Sequence, residues 1–259
     1  MTLLKAIELY RHQESIKDPQ RGKIQTPEGI AKSYQTGYES YQQHPELTTR
    51  GLHSSAARTE MALDAFLLGI GGGSKEHLPV LDHVSGLKVT EQRRKDLGDS
   101  EAMRYNLQRY DSETREGEQA DEIDYYQRLH RAGESIADFF LEEIRNTNPG
   151  TRERVVAWMH EPTIAIFLIE FAKQTGIYQG GDNAEAFRQL SGNSSYNTPE
   201  GTGYRIEMRE ENGELCAYLV MKAGKVKLNI PEIKEKEKMR KKTVKKIKKK
   251  SDHNGKKRL

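Results

Sequence analysis

Three places in this chain put cationic and imidazole groups where an anion could be met: Arg11-His12, Ser54 with Arg58, and His160-Glu161. Each has an ordinary reading when taken alone. His12 reads as a hydrogen-bonded loop histidine, Arg11 as a solvated charge and Glu161 as a helix-start carboxylate that complements the dipole. What raises them above that reading is recurrence, because the same arrangement of apolar strand, abrupt histidine, loop and helix occurs twice. The carboxyl ends of strands are where open α/β sheets put their ligands.

The elements that must position these groups are legible in outline. Ala6, Ile7, Leu9 and Tyr10 form a short apolar run that reads as a buried strand, and Arg11-His12 follows without a spacer. Residues 16–25, with Pro19 and Gly22, read as a loop over the strand end. A helix is expected from Thr26 as N-cap and Pro27 at its first position, with Ile30, Ala31, Tyr34 and Tyr38 as its apolar face, ending at Pro45. A strand over residues 46–52 runs into His53-Ser54-Ser55. The helix from Arg58 to Leu68 then places Ser54, Ser55 and Arg58 near its amino end, where free N–H groups and the dipole favour anions. Gly71-Gly72-Gly73 reads as a helix exit, since a phosphate loop would follow a strand.

Further on, a short strand is expected over 86–90. A helix from Glu122 to Arg145 is expected to break near Gly133, with Pro149-Gly150 closing it. Val155, Val156, Ala157 and Trp158 make the clearest buried strand, ended by His160, and a helix through Ile164, Ile166, Phe167, Ile169 and Phe171 follows. Residues 203–230 alternate in the β manner around an Asn212-Gly213 turn and should extend an edge of the main sheet.

Composition divides the chain. Residues 232–259 hold 14 Lys or Arg against 4 Asp or Glu, whereas the rest carries 28 basic and 35 acidic side chains. We therefore expect one acidic α/β domain over 1–231 and a basic, disordered tail over 232–259. Cys216 is the only cysteine, which excludes an internal disulfide and suits a reducing, cytoplasmic setting. No run approaches the roughly 20 apolar residues of a membrane span, no secretory leader is evident, and the sequon at 193–195 reads as chance. His44, His53, His77, His83 and His130 show no metal-ligand spacing, although His53 beside Ser54 stands out.

Several motifs resemble those of the histidine phosphatase superfamily, the phosphoglycerate mutase-like phosphatases. RHQES at 11–15 looks like the Arg-His-Gly-Glu-Ser signature, and QTPEGIAKS at 25–33 resembles the Leu-Thr-x-x-Gly helix. SSAARTEMA at 54–62 is similar to a Ser-x-x-x-Arg-x-x-x-Thr-Ala segment, and Gly133-Glu134-Ser135 to a further Gly-Glu-Ser segment. The likeness spans residues 5 to about 175. It implies a three-layer α/β sandwich with a mostly parallel central sheet flanked by helices, to which the sequence adds a C-terminal β-hairpin extension. It also implies that His12 accepts a phosphoryl group while Arg11, Arg58, His160 and Ser54 hold its oxygens, with no cofactor and no metal. Residue chemistry agrees, because charge on three peripheral oxygens calls for positioning and fixed cations, and arginine supplies a planar fork.

The proton donor departs from the commonest family pattern. Where an acid is expected ahead of Gly98 this chain has Arg94, and His160-Glu161 instead resembles the His-Asp of the acid-phosphatase branch. Glu161 is the expected acid, with Glu91 or Asp96 as substitutes. Gln13 stands where glycine is usual, and Glu161 in a position often held by glycine. Three readings follow: a metal-independent phosphomonoester hydrolase acting on a small molecule or phosphoprotein, a phosphate-binding scaffold with a degenerate site, and a phosphoglycerate-type mutase. The basic tail would be drawn to RNA, DNA or anionic lipid by counterion release.

Overall fold

The computed structural model describes residues 2–82, 88–110, 120–192, 196, 198, 203–221 and 224–230. The tail, His83, the sequon and residues 86–87 lie outside them. In chain order the elements are β1 (Thr2–Arg11), β2 (Ser15–Asp18), β3 (Gly22–Gln25), α1 (Pro27–Gln43), β4 (Thr48–His53), α2 (Ala57–Ile70), β5 (Ser74–His77), α3 (Lys88–Leu97) and α4 (Asp99–Arg109). They continue with α5 (Ala120–Arg145), β6 (Glu153–Met159), α6 (Glu161–Gln174), α7 (Asn183–Ser191), β7 (Gly203–Glu211), β8 (Glu214–Met221) and β9 (Gly224–Lys227).

Seven strands form one sheet in the order β5-β4-β6-β1-β7-β8-β9. The first four run parallel, and β7 to β9 add to the free side of β1 as an antiparallel extension. The turn between β7 and β8 places Asn212 and Gly213 at φ 53° and 81°, the left-handed pair that a tight hairpin requires. Strand β6 shows why the domain has three layers. Its Val155, Ala157 and Met159 pack with α5, α6 and α7 on one face, while Val156 and Trp158 meet Ala62, Leu63 and Phe66 of α2 on the other.

One polar group inside the sheet needs an explanation. Glu8 is buried in the middle of β1, where its carboxylate accepts from Ser40 Oγ (2.9 Å) and Tyr10 Oη (3.1 Å) and faces the fully buried Arg154 at 3.5 Å. Removing any one partner would leave a desolvated charge.

The structure corrects several expectations. Residues 16–25 are a hairpin, not a loop: β2 pairs with β3, Asp18 Oδ1 accepts from the N–H groups of Gln20 and Arg21, and Gly22 turns at φ 77°. The buried face of α1 is Gly29, Ser33, Gly37 and Ser40, while Tyr34, Tyr38 and Tyr41 are 43%, 45% and 38% exposed. Close approach of two helices is the reason. A methyl group on Gly37 would lie 2.2 Å from the Phe66 carbonyl oxygen, and one on Gly69 would lie 2.1 Å from that of Tyr34. Helix α5 runs unbroken through Gly133, whose missing side chain makes room for Ile166 of α6. Residues 88–90 begin α3 rather than a strand, and the edge strand after α2 is β5, every residue of which is exposed.

Candidate functional site

Parallel pairing brings the chemistry together. β1 and β6 are aligned so that Arg11 faces Met159, and β6 and β4 so that Trp158 faces His53. The residues that follow each strand, His12, His160 and Ser54, therefore emerge side by side at one edge. His12 N–H donates to the Met159 carbonyl at 3.3 Å, which carries the alignment one residue past the strand. The His12 and His160 rings lie 5.4 Å apart, edge to face.

The two imidazoles are held differently. Nδ1 of His12 lies 2.7 Å from the Gln13 carbonyl oxygen, which can only accept, so the proton sits on Nδ1 and Nε2 keeps its lone pair. Burial pushes this imidazole down to about 4, and the cations of Arg58, Arg11 and Lys23 act the same way against the hydrogen bond to Gln13. His12 is thus neutral at ordinary pH. His160 has both nitrogens engaged. Arg58 Nη2 lies 3.0 Å from Nδ1, and a guanidinium has only protons to give, so Nδ1 accepts and Nε2–H donates to Ser54 Oγ at 3.1 Å.

The junction between β4 and α2 and the first turn of that helix supply these contacts. Ser54 is fully buried, and its hydroxyl also meets Thr59 Oγ1 at 2.8 Å, so it orients His160 from below. Arg58 is the second residue of α2, and its guanidinium reaches His160 at the strand end. On the other side, Arg11 forms an ion pair with Glu161 (Nη1 to Oε1, 3.1 Å) and donates to the Thr198 carbonyl. The same Glu161 oxygen accepts from Thr198 N–H at 2.9 Å. Glu161 opens α6 directly after His160 and is buried.

The six residues singled out from the sequence fall into two contact groups at one edge of the sheet, Arg11 with Glu161 and His12 with His160, Ser54 and Arg58. Of the substitute acids, Asp96 is exposed on α3 and accepts from Gln92 at 2.8 Å, and the Glu91 and Arg94 side chains lie outside what is described. Sequence reasoning missed Asp82. Its Oδ1 accepts from Ser55 N–H at 2.5 Å and from His77 Nε2 at 3.0 Å, on the rim beside Ser54. Its signal was faint, because a carboxylate after an exposed edge strand has no periodicity to mark it. His53 is buried, donates Nδ1–H to the Ser54 carbonyl at 2.8 Å and lies 5.7 Å from the His77 ring. Among the described residues no cluster of His, Cys, Asp and Glu suited to a metal ion is present.

Neither a family model nor a curated protein matches the sequence. Among solved structures, mycobacterial hydrolase 2 is 12% identical, with 84% of this chain and 90% of that one covered at a TM-score of 0.52. Mycobacterial hydrolase 1 is likewise 12% identical, with 83% and 95% covered at 0.50. A mycobacterial glucosyl-3-phosphoglycerate phosphatase superposes less closely, at 14% identity, 83% and 96% coverage and 0.49. Likeness at such identities speaks for architecture. The architecture shared with the two hydrolases is a seven-stranded, mostly parallel sheet between helices, the three-layer arrangement that the motifs in the sequence imply.

Proposed function

We propose that the chain is a metal-independent phosphomonoester hydrolase that works through a phosphohistidine on His12. The observation that carries this reading is the state of His12: Nδ1–H is spent on a carbonyl, Nε2 holds a lone pair, and Arg11, Arg58 and His160 are gathered beside it. Nε2 attacks phosphorus, the bond from phosphorus to the leaving oxygen breaks, and that oxygen takes a proton from a carboxylic acid. Water then gives a proton to the same carboxylate and attacks the phosphohistidine, which releases inorganic phosphate and restores His12. Arg58 and Arg11 bind the peripheral oxygens, and His160, held by Ser54, aims the Arg58 guanidinium through its Nδ1 acceptor.

Glu161 supplies the proton in this reading. A dianionic ester that draws Arg11 onto its own oxygens leaves the Glu161 carboxylate buried beside an anion, and a proton taken up there is placed for the leaving group. Asp82 is the second reading, favoured by its place on the rim and its contact with His77. Burial raises this carboxyl, and hydrogen bonds from His77 and Ser55 outweigh it, so that Asp82 is held below the usual range.

The test is hydrolysis of phenyl phosphate with a chelator present, comparing wild type with His12→Ala. Turnover by the wild type and its loss in the variant is the expected result. A wild type that binds phosphate but does not hydrolyse the ester points to the scaffold reading, and turnover that depends on an added metal would also contradict the proposal.

A further inference from the structure

Resting on that reading of the site, we infer that Gln13 is a further catalytic residue, whose carboxamide donates a hydrogen bond to a peripheral oxygen of the phosphoryl group. Gln13 stands between the nucleophile and the first turn of α1. Its carbonyl oxygen accepts from His12 Nδ1–H at 2.7 Å, and its Cβ lies 3.1 Å from where a methyl group on Gly29 would be. It is the last buried residue before the chain leaves the site, since Glu14 is exposed.

The state of the amide singles it out. Gln13 is 5% exposed, and a glutamine buried to that degree ordinarily spends its carboxamide on protein partners. Gln25, buried likewise, shows the ordinary case, with its amide against Ser33 Oγ at 3.4 Å. The Gln13 side chain, by contrast, makes no hydrogen bond among the described residues, and both its amide atoms keep some contact with solvent. An unspent amide in such a place costs the folded protein free energy, and departures of this kind gather at functional sites. Its reach is suited to the task. A glutamine carries its amide nitrogen about 5 Å from Cα, comparable with the span of the adjacent imidazole to Nε2. A carboxamide also supplies an N–H donor without a further charge, so it can join Arg11 and Arg58 at the phosphoryl oxygens. The competing reading is a plug, a side chain that fills the room glycine leaves in the motif this chain resembles, and it predicts the opposite outcome below.

The experiment compares the wild type on phenyl phosphate with Gln13→Met, which keeps the volume and removes the amide, with Gln13→Gly, which removes both, and with Gln13→Glu. Gln13→Met and Gln13→Gly should each lower kcat/KM by about thirtyfold, as loss of one neutral donor. Without ligand, Gln13→Met should unfold at a temperature no lower than the wild type, because it relieves a buried unpaired amide. Gln13→Glu should lose most above pH 7, where a carboxylate repels the phosphoryl oxygens. Its activity relative to the wild type at each pH should climb as pH falls to 5, because a protonated carboxyl donates again. Packing alone gives no such recovery. A glycine variant as active as the wild type or more so would make Gln13 a plug. A methionine variant with unchanged kcat/KM, or one that loses stability together with activity, would make the amide idle or structural. Each of these results overturns the inference and leaves His12 standing as the nucleophile. A wild type that binds inorganic phosphate but hydrolyses nothing overturns the hydrolase reading, and the contact is then read by calorimetry. Phosphate held about tenfold more weakly by Gln13→Met supports it, and equal binding overturns it. A wild type that neither turns over phenyl phosphate nor binds inorganic phosphate overturns both.

Discussion

The ends of β1 and β6 look alike in sequence and differ in what their histidines are free to do. Both strands are buried, both stop at a histidine, and both lead to a helix. Yet His12 gives one nitrogen to its own backbone and keeps the other for chemistry, while His160 is gripped from two sides by Arg58 and Ser54. The lesson is that the partner atom, more than the residue type, separates an attacking imidazole from one that positions an arginine. A carbonyl fixes the tautomer that exposes Nε2, whereas a guanidinium and a hydroxyl spend both nitrogens.

That asymmetry can be broken by substitution, and the largest effect belongs to His12. His12→Ala should lower kcat on phenyl phosphate by about a thousandfold or more, because no other group can accept the phosphoryl. His160→Gln should cost about a hundredfold, as loss of the group that aims Arg58 at the phosphoryl oxygens. Equal losses, or a greater loss at residue 160, would reverse the comparison. Arg58→Ala is expected to fall between them, at a few hundredfold, and Arg58→Lys should recover little, since an ammonium cannot fork across two oxygens. Substitution of the acid sharpens the picture through the leaving group. Glu161→Gln should slow an alkyl phosphate by about a hundredfold and a nitrophenyl phosphate far less, because the latter leaves without a proton. If Asp82→Asn shows that pattern and Glu161→Gln does not, the proton comes from the rim. Ser54→Ala is the mildest of the set, at about tenfold in kcat, since it only loosens His160.

Electrostatics adds a pH signature. The folded protein holds His12 at about 4 against an ordinary value of 6.5, so between those limits the unfolded chain binds more protons. Stability from this residue is therefore complete above about pH 6.5 and is lost as pH falls to 4, amounting to about 3 kcal/mol. His12→Asn should flatten that stretch of an acid-unfolding profile. An NMR titration of the His12 ring in the free protein should likewise give a midpoint near pH 4, and a midpoint near 6.5 would mean an imidazole that is not held as described.

Much of this arrangement was legible in the sequence, and the misses share a cause. Apolar runs that end at a histidine announce a strand and its functional edge, which is why the Arg11-His12 and His160-Glu161 ends could be placed in advance. Elements that bury little carry no such mark. β2, β3 and β5 are polar and mostly exposed, so their pairing depends on backbone hydrogen bonds that composition does not reveal. On α1 the misleading signal was size. Small residues form its buried face and the tyrosines turn outward, because at Gly37 the backbones of α1 and α2 approach too closely for a side chain, while Ser33 and Ser40 meet Gln25 and Glu8. Asp82 was lost with β5, since its place on the rim follows from the strand before it.

The most direct test is to mix the wild type with phenyl phosphate, quench it within the first turnovers in base, where phosphohistidine survives, and map the peptides by mass spectrometry. One phosphoryl group on the peptide containing His12, absent from His12→Ala, is the predicted result. Modification of the peptide containing His160, or hydrolysis with no phosphorylated peptide at any time, would contradict it.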